Sequence, residues 1–411
     1  QIQTQGMKLL TYKPEVKLLT IFGGTGLQAD VEQLRGRVDV LLATPGRLLD
    51  HLNHTEGVQR KVSRTRVLVL DEMDRLLDEG FWPEVQKILS YLPKPEKRQT
   101  FLLSATVPKT LEGLTSTLVR EDKSKELRMV TEDEANVHGH VSQKAIIVPS
   151  MGGIVPTLMA LLLAAQAVPN HKVMVFFVTA RITQTMAELF EGAGMRISEI
   201  HSRRTQSHRQ RVCEEFRSTK AGIIFASDVL ARGIDFPDVT CVIQVGRPAN
   251  REQYIHRLGR TARAGKGGAA LLLLAEFERG FLEDVQDLGV VVSPAPAPNA
   301  AVDALVDRGV GVVRAPQRGD SDRAAQTYVS FLGFYISHLR RIDADRPQLV
   351  GIANEWVRGL FALLAPPPIS PLAAGKMILN GVPGITVEVV HNQAPADRGD
   401  TGSAGGQLSG K

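Results

Sequence analysis

Between residues 16 and 128, short apolar runs alternate with stretches of helical spacing, and this alternation confines the chain to parallel strands joined by crossover helices. The strand candidates are residues 17–22, 38–43, 67–70 and 100–103. A polar stretch, residues 131–140, breaks the rhythm and reads as a linker. The alternation then resumes, with strand candidates at residues 172–177, 197–201, 221–226, 239–245 and 268–274. The expected fold is α/β, with two similar lobes in tandem, residues 1–130 and 141–290. At Val291-Val292-Ser293-Pro294-Ala295-Pro296-Ala297-Pro298 the composition turns to a stiff Pro/Ala connector that ends the second lobe. Beyond it, Tyr328, Phe331, Leu332, Tyr335 and Leu339 recur at helical spacing, as do Ile352, Trp356, Leu360 and Leu363, so residues 291–393 are expected to form a small helical extension. Residues 394–411 are too poor in apolar side chains to fold and are expected to be disordered.

Composition narrows the class without naming a function. With 411 residues and 43% hydrophobic content the chain can bury two sizeable cores, which excludes a single small module. The 49 Lys and Arg against 44 Asp and Glu give a net charge of +5, which permits a nucleic-acid partner without demanding one. Only Cys213 and Cys241 occur, which excludes a disulfide framework and a paired-cysteine zinc site and points to a reducing compartment. The longest apolar runs, residues 158–165 and 268–275, fall far short of the roughly 20 residues of a spanning helix. A soluble protein with no membrane partner is expected. The opening Gln1-Ile2-Gln3-Thr4-Gln5 lacks an initiator Met, a capping residue and targeting character, and reads as a helix already under way, so a truncation at the amino end is expected.

Two distant segments carry the chemistry. Asp71-Glu72-Met73-Asp74 follows the apolar run Val67-Leu68-Val69-Leu70, which places Asp71 at the carboxyl end of a strand, where α/β sheets bind ligands. His256-Arg257-Leu258-Gly259-Arg260-Thr261-Ala262-Arg263 offers arginines three apart, neighbours on one helical face. Carboxylates to hold a hydrated Mg²⁺ and position water, and guanidinium groups to neutralise a transition state, are the two halves of a phosphoryl-transfer site. A glycine-rich phosphate loop ending in Gly-Lys-Thr or Gly-Lys-Ser is absent from the 411 residues.

Each further segment also has a bland reading. The acids could merely cap the following helix, and a row of arginines is usually a solvated face. Ser104-Ala105-Thr106 is a common strand-to-turn ending. Thr44-Pro45-Gly46-Arg47 is a proline-started helix that also presents free N–H groups to an anion. Gly23-Gly24 is a turn or a point of close backbone approach. The order of these segments along the chain decides against coincidence. Gly23-Gly24, Thr44 to Arg47, Asp71 to Asp74, Ser104 to Thr106, Phe176 with Thr179, Gln206 with Arg209, Ala231-Arg232-Gly233-Ile234-Asp235, and the octapeptide at His256 resemble, in that order, the motifs of DEAD-box RNA helicases. The resemblance spans residues 23–288. His201-Ser202-Arg203, Arg251-Glu252-Gln253-Tyr254-Ile255-His256, and in the extension Phe331-Leu332-Gly333-Phe334-Tyr335, Gly375-Lys376-Met377 and Gly381-Val382-Pro383-Gly384 resemble the fungal mitochondrial intron-splicing helicases and their plant organellar relatives.

The resemblance implies two RecA-like lobes, the first incomplete because the family's adenine-reading motif and phosphate loop are missing. It implies ATP and Mg²⁺ as cofactors, RNA bound along its backbone without base readout, RNA splicing, a monomer, and a mitochondrion or chloroplast as location. Asp71 would hold Mg²⁺ through water and Glu72 would orient the attacking water. Arg260 and Arg263 would be arginine fingers, and Ser104, Thr106 and His256 would couple the lobes. Arg232, Gly233, Asp235 and Asp74 would serve the nucleotide. RNA would run over Gly24, Thr44, Pro45, Gly46, Arg47, Thr179, Gln206, Arg209, Ser227 and Asp228. Two departures stand out: Met73 replaces the family's alanine, with room to shift Asp74, and Ser202 replaces the usual glycine. A rival from another class is an RNA-binding or annealing module without hydrolysis, gripping phosphates through Arg203, Arg209 and Arg340; a second is a DNA-directed helicase of the same superfamily.

Overall fold

The computed structural model describes residues 2–78, 81–104, 114, 118–120, 123–127, 141–228, 236–262, 267–315 and 323–388. The expected linker, residues 131–140, and the expected tail, residues 394–411, lie outside them. The chain divides into two compact units, residues 1–313 with 341–343 and residues 314–340 with 344–411.

Among the described residues, the sheet strands all lie in the first unit. β1 (Leu18–Ile21) pairs in parallel with β2 (Val40–Ala43), and β3 (Val67–Leu70) with β4 (Gln99–Leu102). The remaining strands are β5 (Val141–Val148), β6 (Lys172–Phe177), β7 (Ile197–Ile200), β8 (Gly222–Ala226), β9 (Cys241–Val245), β10 (Gly268–Ala275) and β11 (Val291–Ser293). They form one parallel sheet in the order β11-β5-β10-β9-β6-β8-β7. All six residues of β6 are buried, as a strand covered on both faces requires, and this is why Lys-Val-Met-Val-Phe-Phe runs apolar without alternation. On one side Met174, Phe176, Ile224 and Val242 pack with Val212, Cys213 and Phe216 of the helix Gln206–Ser218. Hydroxyl and amide side chains start the helices that follow the strands: Thr179 accepts from Ile182 N–H, Thr205 from His208 N–H and Asn250 from Gln253 N–H.

Two strands depart from the sequence-based expectation. β5 was hidden because Ser142, Gln143 and Lys144 interrupt its apolar run; the buried Gln143 amide donates to Leu288 O (2.8 Å) and accepts from Tyr254 Oη (2.8 Å), so the polar group has partners inside the sheet. Val291–Ser293, expected to open the connector, instead adds an edge strand beside β5, and the prolines that follow stop it. Edge placement suits a run of three residues with exposed valines.

The helix Ala300–Arg314 lies close against the helix Ala180–Gly192. A Cβ added at Gly309 would sit 2.3 Å from Leu189 O, and one at Gly192 would sit 2.8 Å from Val312 Cβ. Arg308 donates to Ala193 O at the same crossing. Gly309→Ala gains helix propensity of about 1 kcal/mol but meets a backbone carbonyl that cannot yield, so a net destabilisation of about 1–3 kcal/mol is expected. Thermal unfolding checks this, and a raised midpoint contradicts the packing described.

In the second unit the helices Arg323–Ser337 and Arg346–Phe361 pack through aromatic rings, Phe331 with Tyr335 at 4.5 Å and with Trp356 at 4.7 Å between centroids. A capping box of Asp345 and Gln348 starts the second helix. Tyr328 Oη donates to Asn354 Oδ1 (2.5 Å), and Asn354 Nδ2 donates to Gly384 O (2.9 Å), tying the loop before residue 388 to the helices. Among the described residues no helix is long and apolar enough to cross a membrane.

Candidate functional site

β3 ends at Leu70 and delivers Asp71 to its carboxyl edge, beside the end of β4. Glu72 follows in the left-handed region with φ 51°, and its N–H donates to Asp71 Oδ1 (2.9 Å). A non-glycine residue there costs about 1–2 kcal/mol, which the surrounding bonds offset: Met73 N–H donates to Leu103 O (3.0 Å) and Asp74 N–H to Ser104 Oγ (3.3 Å). The sharp turn presents Asp71 to solvent while drawing Asp74 inside. Glu72 lies 3.6 Å from Arg75 Nη1 with both side chains about a third exposed, so solvent screens the pair and leaves Glu72 free to exchange partners.

Asp74 is fully buried, and its Oδ2 lies 2.7 Å from His256 Nε2. The acids of the β3 turn thus meet the helix Arg251–Leu258, which packs on the seven-stranded sheet. Met73 is accommodated in an apolar cluster with Leu118, against which Leu70, Trp82 and Leu102 pack, and with it there Asp74 remains in contact with His256. Asp74 was grouped with the nucleotide-holding residues; both its carboxylate oxygens are engaged by protein donors, Oδ1 by Arg75 N–H (3.0 Å).

The expected row of arginines is split. Arg257 is fully buried, donates through Nε and Nη2 to Asp228 Oδ1 (2.9 and 2.6 Å) and lies over the Phe176 ring. The spacing predicts one helical face with Arg260, but the helix ends at Leu258 with Gly259 as its cap, so Arg260 lies beyond it while Arg257 turns into the core, where the ring and the carboxylate together accommodate the guanidinium. Asp228, expected at the RNA, is therefore held by Arg257. Arg260 Nε donates to His256 O (3.2 Å), and its side chain lines a cavity of about 550 Å³ with Lys172, Arg217, Lys220, Asp238 and Thr261. Four cations against one carboxylate make that cavity a place for anionic groups. Arg232, Gly233, Asp235, Arg263 and Thr106 lie outside the described residues.

A second constellation gathers the remaining residues. Gly24, at φ 87°, stands where an added Cβ would lie 3.6 Å from Gln206 Cβ, so the glycine turn after β1 meets the start of the helix Gln206–Ser218. Arg47 follows Thr44, Pro45 and Gly46 at the start of the helix Pro45–His54. Its Nη2 donates to Thr25 Oγ1 (2.9 Å) and to Thr25 O, and its Nε is 2.9 Å from Asp30 Oδ2. His51 is fully buried with Nε2 3.4 Å from Asp30 Oδ2 and Nδ1 2.8 Å from Thr55 Oγ1. Arg47 is thus a bracket for the glycine turn, and most of its guanidinium is turned inward. Asp30 and His51 were missed by sequence reasoning; the signal was a charged residue four before Leu34 on the buried face of the helix Leu27–Arg35. Thr179 caps its helix, and Ser227 is buried with its N–H on Ile200 O (3.1 Å). Arg209 Nε is buried with no hydrogen-bond partner among the described residues. Burial pushes the Cys241 thiol up to about 12 and the Cys213 thiol also upward, so neither supplies a thiolate nucleophile at neutral pH.

The profile of DEAD/DEAH box helicases matches residues 1–114, and that of the helicase conserved C-terminal domain matches residues 154–265. The chain is 40% identical over 388 residues to DEAD-box ATP-dependent RNA helicase 26 of Oryza sativa subsp. japonica, covering 94% of this chain and 70% of the relative. To helicase 25 of Arabidopsis thaliana it is 39% identical, covering 95% of this chain and 68% of the relative, and to helicase 26 of Arabidopsis thaliana 38% identical, covering 94% and only 44%. The solved structure of Mss116p bound to ssRNA and AMP-PNP superposes with a TM-score of 0.77 at 24% identity, covering 92% of this chain and 75% of that one. The α/β fold with two RecA-like domains is the shared feature.

Proposed function

The chain belongs to the DEAD-box RNA helicase family, and from that premise we propose that it is part of an ATP-dependent RNA helicase that separates short duplexes locally. The observation that carries this reading is the 2.7 Å contact of Asp74 with His256, which joins the acids beside one sheet to the arginine-bearing helix of the other. Glu72 orients and deprotonates the attacking water. Arg260, beside a cationic cavity, meets the charge that develops on the phosphoryl group, and Ser104 steadies Asp74 through its N–H. RNA runs along the Gly24–Gln206 junction and Arg209, and the 2′-OH distinguishes it from DNA. Closing the lobes on RNA and ATP kinks the bound strand, and hydrolysis releases it.

Mg²⁺ fits Asp71: a single exposed carboxylate at a strand end suits a cation that keeps several of its waters, and the ion would supply charge neutralisation between phosphate oxygens. The 411 residues hold no phosphate loop, so hydrolysis is proposed for the chain joined to such a loop and RNA binding for the chain as it stands. The second reading is an RNA-binding or annealing module independent of ATP. We assign the chain to the organellar intron-splicing subgroup and to a mitochondrion or chloroplast, as a monomer; what supports the subgroup is the motif resemblance of residues 201–203, 251–256 and 331–384. RNA affinity measured with and without a nonhydrolysable ATP analogue, in a chain carrying the loop, separates the readings. Tighter binding with the analogue is expected of the helicase; no effect, with a steep salt dependence, belongs to the module.

A further inference from the structure

Glu199 lies on β7, the edge strand of the seven-stranded sheet, with its side chain only 10% exposed. Its carboxylate is divided between two cations or donors. Oε2 is 3.0 Å from Nε2 of the fully buried His201, and Oε1 accepts from Arg204 Nε (2.7 Å) and from Arg204 Nη2. His201 Nδ1 accepts from Arg203 N–H (3.2 Å), which leaves the ring proton on Nε2, pointing at Glu199. One carboxylate therefore fixes the imidazole's tautomer and orientation, and the imidazole fixes the backbone of the turn.

That turn leads directly into the RNA-facing helix. Arg204 N–H donates to His201 O (3.1 Å), Thr205 caps the helix, and Gln206 is its first residue, beside Gly24. Three residues on, Arg209 keeps a buried Nε with no hydrogen-bond partner among the described residues. Burial pushes the Glu199 carboxyl up, but the hydrogen bonds from His201 and Arg204 and the Arg204 charge outweigh it and hold it below its ordinary 4.5. The group is ionised at neutral pH, the state that both donors require.

We propose that Glu199 is a positioning residue for RNA binding: acting through His201 and Arg204, it sets the 201–205 turn so that Arg209 faces the RNA backbone. The inference rests on the helicase reading, in that it takes RNA as the ligand at this helix. It predicts that Glu199 contributes to affinity only while Arg209 is present to be aimed.

The test uses the full 411-residue chain and a short fluorescent oligouridine, with affinity read by anisotropy. Glu199→Ala and Arg209→Ala are each expected to weaken binding about tenfold, the scale of one charge-assisted hydrogen bond, and the double variant to bind no more weakly than Arg209→Ala alone. Glu199→Gln keeps the shape but must turn its amide N–H₂ toward either the His201 ring N–H or the Arg204 guanidinium, a donor facing a donor in both cases; it is expected to lose affinity like Glu199→Ala. If Glu199→Ala does not fold, Glu199→Gln and Arg204→Ala carry the same cycle with Arg209→Ala. Losses that multiply in the double variant, or a Glu199→Gln chain that binds as the parent does, overturn the proposal. A parent chain that does not bind oligouridine overturns the helicase reading, and the proposal with it.

Discussion

Glu72→Gln, in the chain joined to a phosphate loop, lowers RNA-stimulated ATP hydrolysis by about a hundredfold to ten-thousandfold, the range of a lost general base, while RNA affinity stays within about twofold. The substitution removes the proton acceptor and leaves the size of the side chain unchanged. The charge holds little of the structure, since the Arg75 pair at 3.6 Å is about a third exposed and screened by solvent and the turn is held by backbone donors from Met73 and Asp74. Initial-rate hydrolysis with and without single-stranded RNA measures the first effect, and anisotropy the second. A variant that retains more than about a tenth of the parent rate would remove Glu72 from the chemistry and leave water positioning to another group.

His256→Ala is expected to cut the stimulation of hydrolysis by RNA about tenfold to hundredfold, with a smaller change in the basal rate. The contact to Asp74 joins a carboxylate to an imidazole at 2.7 Å with Asp74 fully buried. Hydrogen bonds to charged groups contribute about 1.5–3 kcal/mol, and the penalty falls on the closed arrangement, where Asp74 would be left without its partner. His256→Gln, which can still donate to Asp74, is expected to recover part of the stimulation. The ratio of rates at saturating and zero RNA is the measurement. Equal ratios for parent and His256→Ala would mean that the contact does not couple RNA to hydrolysis.

The strands were legible wherever the sequence runs continuously apolar, whether buried throughout as in β6 or partly exposed as in β3. β3 and β6 were delimited correctly because Val67 to Leu70 and Lys172 to Phe177 leave no ambiguity, whereas β5 was lost because its buried Gln143 is met by Leu288 and Tyr254, more than a hundred residues away. The site was legible as a list but not as a geometry. The motif order located Asp71 to Asp74, Ser104 and His256, and the structure joins Asp74 to both Ser104 and His256. Which charges face inward could not be read: Arg257 and Arg260 share a helical spacing, yet one is sequestered by Asp228 and Phe176 and the other lines a cavity. Arg47 is likewise committed to Thr25 and Asp30 by a tertiary meeting that helix periodicity does not encode. Glu199 left a trace, a carboxylate on the same side of the strand as Ile197, where an unpaired charge would be costly.

In the helicase reading, RNA governs ATP hydrolysis at the Asp71 to Asp74 turn. The decisive measurement is the ATPase rate against single-stranded RNA concentration for this chain and for one extended at its amino end by a glycine-rich loop ending in Gly-Lys-Thr, each with and without Glu72→Gln. RNA-stimulated hydrolysis confined to the extended chain with Glu72 intact is the predicted result. No hydrolysis in any of the four proteins, with RNA still bound, would contradict the helicase reading and leave an RNA-binding or annealing module in its place.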